Sequence, residues 1–304
     1  MREQALTPII TAYWRDYLML CKPKIVAMIV FTAIVGMLLS TPDMVPMSIL
    51  ISGSLGIWLA AASAAVINHI VDQKIDAVMV RTQARPLPKG NISSQSAKIF
   101  ALVLGIASMI ILVFFVNALT AILTLTSLIG YGFIYSMYLK RATPQNIVIG
   151  GAAGAAPPVL GWVAVTGSLD PNSLLLFLIV FAWTPPHFWA LAIYRRNDYA
   201  NAQIPMLPIT HGVGFTRLYI LLYTIVLFIV SLLPFITYMS GPVYLLGAVL
   251  LGCGFLYYGI RMQTDHDDRL AVQAFSYSIF YLMALFSFLL VDHYMPLILG
   301  AMSS

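Results

Sequence analysis

Charged residues are scarce in this chain: Asp, Glu, Lys and Arg make up 9% of its 304 residues, against roughly a quarter in an ordinary soluble domain. Hydrophobic residues supply 61%. A soluble fold of this size could not cover its surface with so few charges, because its outer shell must meet water. Soluble classes are therefore excluded, and an all-α polytopic membrane protein is expected, since helices satisfy their own backbone groups in lipid. Cysteine is nearly absent as well. Cys21 and Cys253 stand far apart without metal-ligand spacing, so both read as small buried hydrophobes. The opening Met1-Arg-Glu-Gln-Ala-Leu-Thr-Pro does not look like a signal peptide, because the first apolar run is too long for a cleaved h-region. The formal charge of +5 gives no reason to expect nucleic acid, because the basic residues flank apolar runs.

Nine runs are expected to cross a membrane: near residues 25–40, 47–70, 97–117, 119–139, 147–166, 173–193, 217–238, 242–260 and 273–291. Each is about the 20 residues needed to span a hydrocarbon core of roughly 30 Å. Counting the connections alternately places all 16 lysines and arginines, from Arg2 and Arg15 to Arg261 and Arg269, on one side. The other side has Asp43, Asp170 and Asp292 and no basic residue. The positive-inside rule makes the basic side cytoplasmic, with the N terminus in and the C terminus out. Residues 1–304 read as one intramembrane domain. Gly150, Gly151 and Gly154 predict a close helix crossing.

Asn68, Asp72 and Asp76 recur at i, i+4, i+8, so a helix presents all three on one face. At 1.5 Å per residue they cover roughly 12 Å, a span that suits one metal-bound diphosphate. Carboxylate and amide oxygens are hard ligands suited to Mg²⁺. Acids at a membrane edge are costly unless paired or functional. Arg81 and Arg85 follow four apart, and guanidinium groups fit diphosphate oxygens bidentately. Ser93 or Ser94 caps the next helix. Asp198, after Arg195, Arg196 and Asn197, can bind a second Mg²⁺, orient the two arginines onto phosphate, or form a local salt bridge without a chemical role. Lys140 and Arg141 end the fourth span within reach of the same anion. The basic-side segments 71–97, 194–216 and 261–269 could form the rim of one cavity. Pro185 and Pro186 should open the backbone ladder beside His187, which binds a cofactor, takes a proton or bonds a neighbouring helix. His69 lies roughly 100° round the helix from Asn68, so it need not share the acids' cavity. His211 and His266 read as loop residues.

Five strings recur in an order that resembles the UbiA-like superfamily of intramembrane aromatic prenyltransferases, and within it the haem-farnesylating branch. They are Asn68-xxx-Asp72-xxx-Asp76, Met79-Val-Arg-Thr-Gln-Ala-Arg-Pro-Leu87, the run Gly150 to Trp162, Trp183-Thr-Pro-Pro-His-Phe-Trp189 and Pro205-Met-Leu-Pro208. The resemblance implies nine helices around a central cavity, Mg²⁺-dependent use of farnesyl diphosphate, and haem b as a substrate rather than a permanent cofactor. It implies Asn68, Asp72, Asp76 and Asp198 as metal ligands, with Arg81 and Arg85 in the catalytic set. Lys140, Arg141, His187, Arg195, Arg196 and Asn197 fall to substrate binding. Ala202 stands where the superfamily's later acid would fall, which departs from a symmetrical pair of acid motifs. A bacterial cytoplasmic (inner) membrane is implied, with haem A synthase or terminal-oxidase assembly partners. A prenyltransferase of quinone-precursor rings would share the diphosphate site. A lipid or porphyrin transporter would need polar groups reaching both faces, and a structural subunit of a respiratory complex would leave the ordered acids without a task.

Overall fold

The computed structural model describes residues 14–265 and 267–303, with side chains as far as residue 295. The expectations for Arg2 and His266 fall outside the described residues. All regular structure among the described residues is helical. Among the described residues eight helices are long and apolar enough to cross a membrane, and a bent pair taken as one span makes a ninth. That pair, α1, joins Trp14–Leu20 to Pro23–Leu39 at an angle of 53°. Pro23 disfavours right-handed geometry in the residue before it, and Lys22 takes the left-handed region with φ 51°.

The second helix, α2, is Met47–Val78, longer than the run 47–70 that composition marks. The charges that suggest a loop continue the helix instead, because each acid is met by a neighbouring group. Ser93 caps α3 (Ser94–Phe115), accepting from Ser96 N–H at 3.0 Å. Asn117 makes the tight turn to α4 (Ala118–Ala142), capping Thr120 N–H at 2.8 Å while donating to Val163 O at 2.9 Å. Residues Gly130–Leu139 of α4 are wound as a π-helix. Next come α5 (Asn146–Thr166), interrupted at Ala156 before Pro157-Pro158, and α6 (Pro171–Tyr194). The double proline lies inside α6 without breaking the helix, and neither proline has an N–H to give the preceding turn. Thr184 Oγ1 donates to Val180 O at 2.8 Å just before it. The bundle ends with α7 (Val213–Ile236), α8 (Pro242–Thr264) and α9 (Asp268–Ser303).

Consecutive helices pack side by side, and α9 returns against α1, closing a ring; α6 also packs on α9 and α5 on α1. The α1–α5 crossing is backbone against backbone. A Cβ on Gly36 would lie 2.0 Å from Pro158 O, and one on Gly161 would lie 1.9 Å from Ala33 O. The predicted glycine crossing is realised in part: Gly150 receives the Tyr135 ring and Gly151 faces Thr184, whereas nothing lies within 4 Å of a Cβ on Gly154. At the start of α8 the Asp292 carboxylate accepts from the backbone N–H groups of Gly241, Val243 and Tyr244. The alternation of charge survives in three dimensions. Described basic residues cluster where even-numbered helices end and odd-numbered helices begin, while Asp170 and Asp292 mark opposite ends.

Candidate functional site: a buried acid face ringed by cations

An α-helix turns about 100° per residue, so successive i+4 positions advance by roughly 40°. Asn68, Asp72 and Asp76 therefore fan along one face of α2, and all three are buried, at 5%, 3% and 3% exposure. On the same count His69 lies only about 20° from Asp76, although it is about 100° from Asn68. The structure places it there: His69 Nδ1 is 3.8 Å from Asp76 Oδ2. The expected separation of His69 from the acids is corrected, since measuring from the first residue of the motif hid its closeness to the last.

Each residue of the motif meets a group from another element. From the break in α1, Lys22 Nζ donates to Asn68 Oδ1. Asn68 Nδ2 donates to Asp72 Oδ2 at 3.0 Å and to Ser136 Oγ at 3.1 Å. Ser136 in turn donates to Tyr131 O at 2.8 Å, across one π-turn. Lys140, at the end of the π segment, donates to Asp72 Oδ2 at 2.6 Å. Arg85, in the turn after α2, donates to Asp76 Oδ2 at 2.7 Å. Thr82 Oγ1 fastens that turn to Asp76 O at 3.0 Å, and Gln73 holds it through Leu87 O and Ser94. Breaking one partner of such an enclosed pair strands a charge, which makes the arrangement costly to leave half-filled.

Three polar atoms in this cluster are left over. Asp72 Oδ1, His69 Nδ1 and His69 Nε2 are buried without a hydrogen-bond partner. A free carboxylate oxygen beside an amide oxygen and a second carboxylate is a hard-donor set, and it fits Mg²⁺. Among the described residues no three His, Cys, Asp or Glu side chains gather as a metal-holding group, so Asp198 is not brought into one cluster with Asp72 and Asp76.

The remaining candidates divide. Arg81 is exposed, and its charge reaches the hydroxyl of Tyr199 in the short helix Arg196–Asn201. Burial raises that hydroxyl above the usual tyrosine range, and Arg81 opposes the rise. Arg85 and Asp198 act on the same hydroxyl, while the Tyr135 hydroxyl lies in electrostatic range of both Tyr199 and Asp72. The segments 71–97 and 194–216 meet at a cleft where Lys74, Ile75 and Val78 face Asn201, Ala202 and Gln203. Asp198 is 3.8 Å from Arg195, its own neighbour, and Asn197 is exposed. Arg196 turns away from the acids and pairs with Asp268 at the start of α9, with Arg217 at 4.0 Å from the same carboxylate. Arg141 is exposed, donates to Val71 O at 3.4 Å, and lines a cleft of about 240 Å³ with Lys74 and Gln203. His187 lies between the rings of Trp183 and Phe275, with centroids at 4.1 and 4.6 Å, and its Nδ1 meets Ser278 Oγ at 2.6 Å. Of the three roles open to it, the bond to a neighbouring helix is the one seen.

Comparison with known proteins decides the family. The profile described as the UbiA prenyltransferase family matches residues 29–289. The chain belongs to that family. It is 62% identical to a protoheme IX farnesyltransferase of Nitrosococcus oceani over 93% of this chain and 95% of the other. A protoheme IX farnesyltransferase of Methylococcus capsulatus is 61% identical over the same shares. Among solved structures, a digeranylgeranylglyceryl phosphate synthase superposes with a TM-score of 0.78 at 20% identity, covering 93% of this chain and 99% of that one. A UbiA homologue from Archaeoglobus fulgidus, bound to DMAPP and Mg²⁺, gives 0.61 at 15% identity over 90% and 99%. These two share the fold.

Within this UbiA-family fold, the sequence reading missed Lys22, Ser136, Tyr199 and Ser278. Lys22 is 46 residues from Asn68 and reaches it only because α1 breaks. The Pro23 that forces the break was the available signal. Ser136 depends on the π winding, for which no local pattern stands out.

Proposed function

We propose that this chain transfers the farnesyl group of farnesyl diphosphate to a vinyl group of haem b, adding water, to give haem O and diphosphate. The observation that carries the reading is the buried Asn68–Asp72–Asp76 face enclosed by Lys22, Arg85 and Lys140. Relatives of about 60% identity over nearly the whole chain, named protoheme IX farnesyltransferases, support haem as the acceptor.

Asn68, Asp72 and Asp76 would hold Mg²⁺, which when bound neutralises diphosphate charge as the leaving group departs. Lys22, Lys140 and Arg85 offer positive charge beside the same oxygens, with Arg81 exposed in the turn after α2. Such groups act most strongly on charge that develops during reaction, in a site closed to water. The allylic C1–O bond breaks with its electron pair leaving on the diphosphate. The vinyl π pair then forms the new C–C bond to C1. The cation left beside the pyrrole takes water and releases a proton, so farnesyl diphosphate, haem b and water balance against haem O and diphosphate. Asp198 positions Arg195 rather than binding metal.

The proposal extends to placement: one domain over 1–304 in a bacterial inner membrane, basic side and N terminus cytoplasmic, C terminus external, beside haem A synthase or terminal-oxidase assembly factors. Detergent-purified protein incubated with haem b, farnesyl diphosphate and Mg²⁺ should yield a product of the mass of haem O. A mass matching another acceptor from a panel containing quinone-precursor acids, with haem b unconsumed, would refute the acceptor. Absence of Mg²⁺-dependent diphosphate release with every acceptor would refute the enzyme class.

A further inference from the structure

His69 has no assigned task, and its surroundings define one. It is 3% exposed, on the acid face of α2, and neither ring nitrogen has a hydrogen-bond partner. A buried polar atom without a partner costs free energy, so two on one ring call for an explanation. Asp76 does not satisfy the ring, because 3.8 Å is beyond hydrogen-bond reach. Asp72 Oδ1 is orphaned in the same cluster, and the charges of Lys22, Arg85 and Lys140 all reach the imidazole. Three cations thus converge on the ring and its acid neighbours, the charge an anion with several oxygens requires.

We infer that His69 is a further substrate-binding residue, donating one ring N–H to a diphosphate oxygen of the prenyl donor. Either neutral tautomer supplies that N–H, so the role does not depend on a change of protonation. The imidazole adds directionality where the neighbouring lysines act as point charges. It also explains why a ring is stationed beside the acids with nothing in the protein to bond. The inference rests on the diphosphate site proposed above and adds a residue to it.

The test is binding of inorganic pyrophosphate with Mg²⁺ to the purified full-length protein, measured by calorimetry and by the thermal shift it produces. His69→Phe keeps a flat ring and removes both nitrogens; His69→Leu serves if the phenylalanine does not fold. His69→Gln restores an N–H donor. Loss of a hydrogen bond to a charged oxygen should weaken pyrophosphate about tenfold to a hundredfold in the Phe or Leu protein, with most of it recovered in Gln. A merely structural residue predicts the reverse, since removing two unpaired nitrogens should leave binding unchanged and raise the melting temperature. Unchanged affinity in His69→Phe, or equal loss in Phe and Gln, overturns the assignment. Asp72→Asn is the companion: if it too leaves pyrophosphate binding intact, the diphosphate site itself is refuted, whereas its loss alongside an unaffected His69→Phe refutes only the role of His69.

Discussion

Asp72→Asn separates what the acid does for the fold from what it does for the reaction. The carboxylate is 4% exposed; its Oδ2 accepts from Lys140 at 2.6 Å and Asn68 at 3.0 Å, and its Oδ1 is free. Asparagine keeps the shape and removes the charge. Lys140, 14% exposed, then has no carboxylate. Stranding an enclosed charge costs about 3–5 kcal/mol, and partial access of Lys140 to water brings the loss to the lower end, ~3 kcal/mol. Turnover should fall further, by about 10³-fold, because a carboxylate oxygen that would hold Mg²⁺ against the departing diphosphate is gone. The double variant Asp72→Asn/Lys140→Met removes the stranded cation as well. It should recover most of the thermal stability while remaining as inactive as the single variant. Melting followed by tryptophan fluorescence in detergent, and haem O formation followed by mass at saturating Mg²⁺, read the two quantities separately. Near-normal turnover in the single variant would end the assignment of Asp72, and turnover restored by the second change would show that only charge balance mattered.

Three further outcomes follow from the geometry. Gly161→Ala and Gly36→Ala each drive a Cβ to about 2 Å from a carbonyl oxygen, so both should abolish accumulation of folded protein in membranes, while Gly154→Ala should accumulate normally. Asp292→Ala removes the acceptor for three N–H groups at the start of α8 and should cost about 1–2 kcal/mol in thermal stability with no change in KM for farnesyl diphosphate. Chelation of divalent cations should stop diphosphate release, and added Mg²⁺ should restore it; full release in excess chelator would contradict the metal role of the acid face.

The acid face was legible because its chemistry lies in a local spacing that any helix converts into one surface. The length of α2 was not, since the charges after the apolar run 47–70 mark a connection until the partners of Asp72 and Asp76, from α4 and the following turn, are known. Lys140 could be placed from the end of its span, but the choice between it and Arg141 depends on the π winding. Arg196 looked equivalent to Arg195, and only the return of α9 brings Asp268 to claim it. His69 was visible and misjudged: the rotation was counted from Asn68 alone, whereas its neighbour is Asp76, seven residues and nearly two full turns away.

The π-wound stretch Gly130–Leu139 holds more residues in its turns than an ordinary helix would. Lys140 and Arg141, immediately beyond it, point to different clients: Asp72 for one, the Val71 carbonyl for the other. The wider turns therefore help fix the direction in which each of these two cations leaves the helix. The extra residue acts as a register key, deciding which of two adjacent cations the reaction chamber receives.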